Sequence, residues 1–226
     1  IDERSSISSN ISERPRLSQA LLRRKSEAIR ERFKEVISKI KSSSKQKDFL
    51  AQSHIEDIAD AVQKNVPLVY IIPSHQGGLA LIAHKVMSDN ENIQFRIAPV
   101  WLDKLSDSSL EELLNSTDSI ELGWLKAYRN RDKSWSKTIS RVTRELWDLA
   151  VGSITERIES LEVKEAVLIA GSYLGFLPLH AAWKEDNNAP TDRHYALDTV
   201  NFTYAPNAKS ITANQVIAKH VSANSI

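Results

Sequence analysis

The residues with the greatest capacity for chemistry lie in one stretch, 167–183, VLIAGSYLGFLPLHAAW. A short apolar strand runs into a turn holding Gly171, Ser172 and Gly175, and His180 follows at what reads as a helix start over 180–183. In an open α/β sheet, the crevice beyond the carboxyl ends of parallel strands collects ligands and catalytic groups. Each chemistry can therefore be tested on spacing. A nucleophile elbow needs Gly-x-Ser-x-Gly, whereas Ser172 directly follows Gly171, so its hydroxyl sits one place early. A phosphate loop needs lysine and a hydroxyl residue behind its last glycine, and neither follows Gly175. A dinucleotide fingerprint needs three spaced glycines, and the turn has two. An anion held on backbone amides at a helix start stays open, as in an unrelated α/β anion- or nucleotide-binding protein.

The chain has six histidines and no cysteine. Without cysteine there is no disulfide, no thiolate metal site and no sulfur nucleophile within these residues. His54, His75, His84, His180, His194 and His220 are scattered, and no pair has metalloprotease spacing, so neither a metal nor a cofactor is expected. His180 stands where a general base could act, yet it has no thiol here to activate. Its expected role is to satisfy buried backbone groups. His75, beside Gly77 and Gly78, reads as a turn residue. Trp101, Trp124, Trp135, Trp147 and Trp183 read as core anchors. The glycosylation-type triplets at Asn10, Asn115 and Asn201 have little meaning without a secretory signal.

Elements must position these groups, and their pattern is uneven. Residues 1–47 carry 13 Lys or Arg against 6 Asp or Glu, a net of +7, in a chain whose total is +1. Residues 1–16 lack periodicity and predict a disordered tail. Over 17–41, Leu17, Leu21, Ile29, Phe33, Val36, Ile37 and Ile40 recur at helical spacing, predicting a basic amphipathic helix, with 42–47 as linker. Glutamates interleave with the basic residues and no stacking aromatics accompany them, so the helix reads as a solvated connector and no nucleic-acid partner is expected.

From residue 48 the chain reads as a layered α/β domain. A helix over 49–65 precedes an apolar strand, VPLVYIIP, which turns at Gly77-Gly78 into a second, LALIAHKVM, as a hairpin. IQFRIAPV is a third strand. DSSLEELLNS opens a helix capped by Asp107 or Ser108, with Glu111 as box partner and Leu110, Leu113 and Leu114 inward. The longest helical pattern runs over 135–161, with Gly152 marking a bend. AVLIA at 166–170 reads as a strand buried on both faces of a parallel sheet. No apolar run is long enough to span a bilayer, so no membrane partner and a cytoplasmic location are expected.

Taken in order, the motifs resemble the CHAT domain, a branch of the caspase-like cysteine peptidases commonly found behind tetratricopeptide repeats. The matching pieces are VYIIPSHQGGLALI, Trp101-Leu102, Gly123-Trp124-Leu125 with Tyr128, Trp135, Leu146-Trp147 and the block over 167–183. Tyr195-Ala196-Leu197-Asp198 and Phe202-Thr203-Tyr204-Ala205-Pro206-Asn207 complete the series. Two positions depart from the family's habit: Ala170, where a proline is frequent, and Asn207, where the family often has serine after proline.

The resemblance implies a caspase-like α/β/α sandwich, truncated on its C-terminal side, with 48–226 as its N-terminal portion. It further implies an intact protein that is a regulated cysteine peptidase, in which a histidine lowers a thiol pKa and passes the proton to the leaving amine. Both members of that pair are expected beyond Ile226, so no catalytic residue of the family falls on this chain, which is expected to be inactive alone. The implied partners are a protein or peptide substrate and an upstream repeat array. A chain starting at Ile1 and stopping after VIAKHVSANSI reads as a piece of something longer. A caspase-like scaffold without catalysis is the alternative.

Overall fold

The computed structural model describes residues 27–28, 31–32, 34–36, 38–39, 54–87, 92–117, 122–130 and 135–223. The chain divides into two units, Ile1–Gln52 and Ser53–Ile226. In the first, the described residues between 27 and 39 are helical and exposed, laced by Lys34–Glu31 and Lys39–Glu35 pairs at 2.8 and 2.7 Å. The tail over 1–16 and the linker over 42–47 lie outside the described residues.

The second unit is a mixed α/β fold with helices on both faces of one sheet. Helix α1 (Ile55–Ala61) leads into β1 (Leu68–Ser74), β2 (Gly77–Met87) and β3 (Ile93–Leu102). Then come α2 (Asp107–Asn115), α3 (Trp124–Asn130), α4 (Trp135–Leu146) and α5 (Gly152–Glu159). Next are β4 (Glu165–Ala170), β5 (Trp183–Glu185), β6 (Arg193–Tyr195), α6 (Ala196–Thr199), β7 (Asn201–Tyr204) and α7 (Ala208–Ala223). The five-stranded sheet has the order β3-β2-β1-β4-β7. The β1–β2 and β2–β3 pairs are antiparallel, while β1–β4 and β4–β7 are parallel. The first hairpin turns where expected: Gly77 has φ 143°, a region that L side chains rarely adopt, and the Ser74 hydroxyl donates to its carbonyl at 2.7 Å.

Alternation along the central strands divides the core in two. Val69, Ile71, Ile82, Leu168 and Phe202 face Leu113, Leu146, Ile154 and Ile158 on one side. On the other, Leu68, Ala83 and Ile169 meet Ala61, Val62 and Ala208. Burial on both faces explains why β1 and β4 read as continuous apolar runs.

Four expectations about the elements are corrected. Among the described residues the helix expected over 49–65 spans only Ile55–Ala61, with extended backbone at His54 and Val62 on either side. Helix α2 is capped by Ser106, not by Asp107 or Ser108, and the box partner is Ser109, not Glu111. Ser106 has extended backbone, its Oγ accepts the Ser109 N–H at 3.1 Å, and Ser109 Oγ accepts the Ser106 N–H at 2.9 Å. The helical stretch expected over 135–161 is interrupted by a π turn over Trp147–Val151. At Gly152 an added Cβ would lie 2.6 Å from Trp147 Nε1, so the glycine accommodates an indole laid across the helix. The helix start expected over 180–183 is a 3-10 turn, Leu179–Ala181, followed by strand β5, which pairs with β6. Trp183 Nε1 donates to the Ser140 carbonyl and Thr143 Oγ1 at 3.1 and 3.0 Å, and this anchoring favours extended backbone.

The tryptophans are not all core anchors. Trp147 and Trp183 are buried, whereas Trp101, on the edge strand β3, is 71% exposed. Trp124 and Trp135 are half-buried and pack on each other, with ring centroids 4.7 Å apart.

Candidate functional site

The three parallel strands β1, β4 and β7 end on the same side of the sheet, where the connections after β1 and β4 carry two histidines. After β1, Ser74 forms an isolated parallel bridge with Ser106, which brings the start of α2 beside the hairpin turn. His75 Nδ1 then lies 2.9 Å from Asp107 Oδ2. A carboxylate only accepts, so Nδ1 carries the proton and a neutral His75 keeps the Nε2 lone pair free to accept. The side chain is 94% exposed.

After β4, the Gly171 N–H donates to the Ile71 carbonyl at 3.2 Å, and the chain makes two 3-10 turns, Ser172–Phe176 and Leu179–Ala181. A Cβ at Gly171 or Gly175 would meet its nearest neighbour at 3.4 or 3.8 Å, ordinary contact distances. Neither glycine is required by a close backbone approach of the kind that a phosphate cradle imposes. The expectation that the His180 ring satisfies buried backbone groups is reversed. Its own N–H donates to the Tyr204 hydroxyl at 3.0 Å, and its Nδ1 lies 2.9 Å from the same oxygen. The rings meet edge-to-face, with centroids 5.6 Å apart. Burial pushes the Tyr204 phenol above its ordinary pKa, an effect opposed by the backbone N–H groups of His180 and Leu179.

A cavity of about 420 Å3 lies between α2 and the turn after β4, lined by Asp107, Leu110, Glu111, Leu114, Asn115 and Tyr173. A second, of about 520 Å3, follows β7, bounded by Val167, Thr203, Tyr204, Pro206 and Ile211. Tyr173 and Phe176 stand 60% and 62% exposed with their rings 6.4 Å apart.

His54, His84 and His194 serve elsewhere, and the side chain of His220 lies outside the described residues. His54 precedes α1 and donates its N–H to Asp57 at 2.9 Å; that hydrogen bond holds the Asp57 carboxyl below its usual range. His84 is buried in β2, where desolvation, then Arg157 and Arg96, push its pKa down. His194 packs edge-on against Trp147 and lies 3.0 Å from Thr199 Oγ1. Among the described residues no three His, Asp or Glu converge as metal ligands. No described helix is long and apolar enough to cross a membrane.

Sequence spacing did not reveal Asp107 or Tyr204 as partners of these histidines. Tyr204 lies 24 residues from His180, and only the parallel register brings it near. No family model, curated protein or solved structure matches this chain.

Proposed function

We propose that this chain is the supporting portion of a CHAT-type, caspase-like peptidase domain, which builds the sheet and the loops at its carboxyl end while the Cys-His pair is carried on strands outside these 226 residues. The observation that supports the reading best is the parallel run β1-β4-β7, in which β7 is the margin of the sheet among the described residues. The Asn201 and Ala205 N–H groups bond toward β4, at 2.7 and 3.0 Å, so alternation leaves the Phe202 and Tyr204 backbone directed outward. A further parallel strand fits that margin and would extend the sheet end on which His75 and His180 stand.

In the assembled domain the chemistry is thiolate attack on a peptide carbonyl. An imidazole lowers the thiol pKa, and its proton goes to the leaving amine. This chain's contribution is positional, since it holds the neighbouring strands in register and shapes the approach to the reacting bond. The amphipathic segment over 17–41 then joins the domain to an upstream repeat array whose occupancy gates the enzyme. The absence of cysteine favours a second reading, in which the fold only presents a surface to other proteins.

The test is covalent mapping. The protein, expressed with the sequence that continues its reading frame, is treated with a peptide acyloxymethyl ketone and digested. The reading predicts one labelled cysteine outside residues 1–226. A continuation that adds no labelled cysteine and yields no turnover leaves the scaffold reading.

A further inference from the structure

We propose that His84, Arg96 and Arg157 form a proton-linked binding site for a small oxyanion, a phosphate or carboxylate group, at the cavity beside the amino ends of β1 and β4. The site stands at the opposite end of the sheet from His75 and His180, and it does not depend on the peptidase reading.

The sequence puts a histidine where the pattern of β2 calls for an apolar residue. Ala80, Ile82 and His84 alternate onto one face, and the first two are fully buried in the larger core. His84 is only 9% exposed, and among the described residues its ring has no hydrogen-bond partner. A buried imidazole left unpaired is costly unless water or a ligand completes it. The space for one is present. A cavity of about 180 Å3 is lined by His84 together with Gln63, Asn65, Pro67, Leu161 and Val163. One water takes roughly 30 Å3 of liquid volume, so a group of several heavy atoms fits.

Charge selects the class of ligand. The β2–β3 register sets Arg96 directly opposite His84, so the two side chains leave the sheet on the same face as neighbours. Arg157 comes from α5, which packs on β3. Both guanidinium groups bond neutral oxygens, Gln94 Oε1 at 3.0 Å and Ser160 Oγ at 3.1 Å. Among the described residues neither pairs with a carboxylate. Other charges around the cavity are engaged or balanced. Lys85 Nζ donates to the Val62 carbonyl at 2.7 Å, and an outer cavity that shares Asn65, Leu161 and Val163 sets Lys64 and Lys164 against Glu162 and Glu165. The excess positive charge therefore belongs to Arg96 and Arg157, which add to desolvation in holding His84 neutral. An oxyanion reverses this balance, because it offsets both guanidinium charges and accepts a charge-assisted hydrogen bond from the imidazolium. Anion uptake is thus coupled to protonation of His84, and affinity rises as pH falls.

The experiment titrates the whole chain with sodium sulfate, and in a parallel arm with sodium acetate, at an ionic strength held constant with sodium chloride. Imidazole C–H resonances are followed by NMR, with His84→Gln assigning the signal. Sulfate does not titrate in the working range, so its pH dependence belongs to the protein. The proposal expects a saturable shift of the His84 resonance, a raised His84 pKa at saturation, and an affinity about tenfold higher near pH 5.5 than near pH 7.5. Arg96→Gln, on an edge strand and exposed, should melt cooperatively and bind about tenfold more weakly, the scale of one hydrogen bond to a charged group. If His84→Gln does not fold, the His84 signal is the one whose pKa rises in Arg96→Gln. Tighter binding of sulfate assigns a phosphate-type ligand, and tighter binding of acetate a carboxylate. Absence of a saturable shift with either salt overturns the proposal, and so does binding that is indifferent to pH or unchanged in Arg96→Gln.

Discussion

Side-chain surroundings decide what each histidine of this chain can do. His75 and His180 both engage Nδ1, yet one faces a carboxylate, so a neutral His75 presents an Nε2 lone pair, whereas the other faces the Tyr204 hydroxyl, which can donate or accept. His84 is different. It is buried in β2, with Arg157 and Arg96 adding to the desolvation that favours its neutral form. The folded state therefore binds a proton at this site less readily than the unfolded chain. Its contribution to stability is full above the ordinary histidine pKa of 6.5 and is lost as pH falls through the depressed folded value. Chemical denaturation at a series of pH values should show stability falling below about pH 6.5, with a shallower fall in His84→Gln. An identical acid limb in the variant would place the cause in another group.

At the level of single elements, local chemistry sets boundaries and packing sets exceptions. Ser106 caps α2, so Ser106→Ala should cost about 1 kcal/mol in urea melts, whereas Ser108→Ala should cost much less. Gly152→Ala should destabilise, although alanine is ordinarily favoured in a helix by about 1 kcal/mol. The new Cβ would meet a buried indole held between His194 and Lys184, an overpacking typically worth about 1–3 kcal/mol. The elements most legible in the sequence were those governed by one dominant periodicity: the β1–β2 hairpin, β3, β4, and the leucine face of α2. Helix α4 was legible too, but the π turn was not, because it arises from one tryptophan crossing the helix. Strand β5 was hidden because Ala181-Ala182-Trp183 suits a helix locally, and its extended backbone goes with two tertiary contacts, the anchorage of Trp183 on α4 and the pairing with β6. The site was legible in part. The turn after β4 and His180 were visible, while Tyr204 and Asp107 depended on strand register and on the Ser74–Ser106 bridge.

For the molecule as a whole, the two faces of the sheet are covered unequally. Helices α1 and α7 pack over β1 and β4, while Ile72, Ile97 and Trp101 remain 48%, 41% and 71% exposed on the side toward β3. Trp101→Ser should shorten retention on a hydrophobic-interaction column and change the melting midpoint little, since surface substitutions ordinarily stay within about 0.5 kcal/mol. A large loss of stability would mean that the indole packs more deeply than its exposure indicates. At the opposite margin β7 has open backbone among the described residues, and under the proposed reading these residues would supply architecture while strands outside them would supply sulfur and imidazole. Turnover of a broad peptide library by the purified 226-residue chain, with controls for contaminating peptidases, tests that division most directly. The account predicts no hydrolysis above the control; sustained hydrolysis that co-purifies with the chain and disappears in His75→Ala or His180→Ala would contradict it.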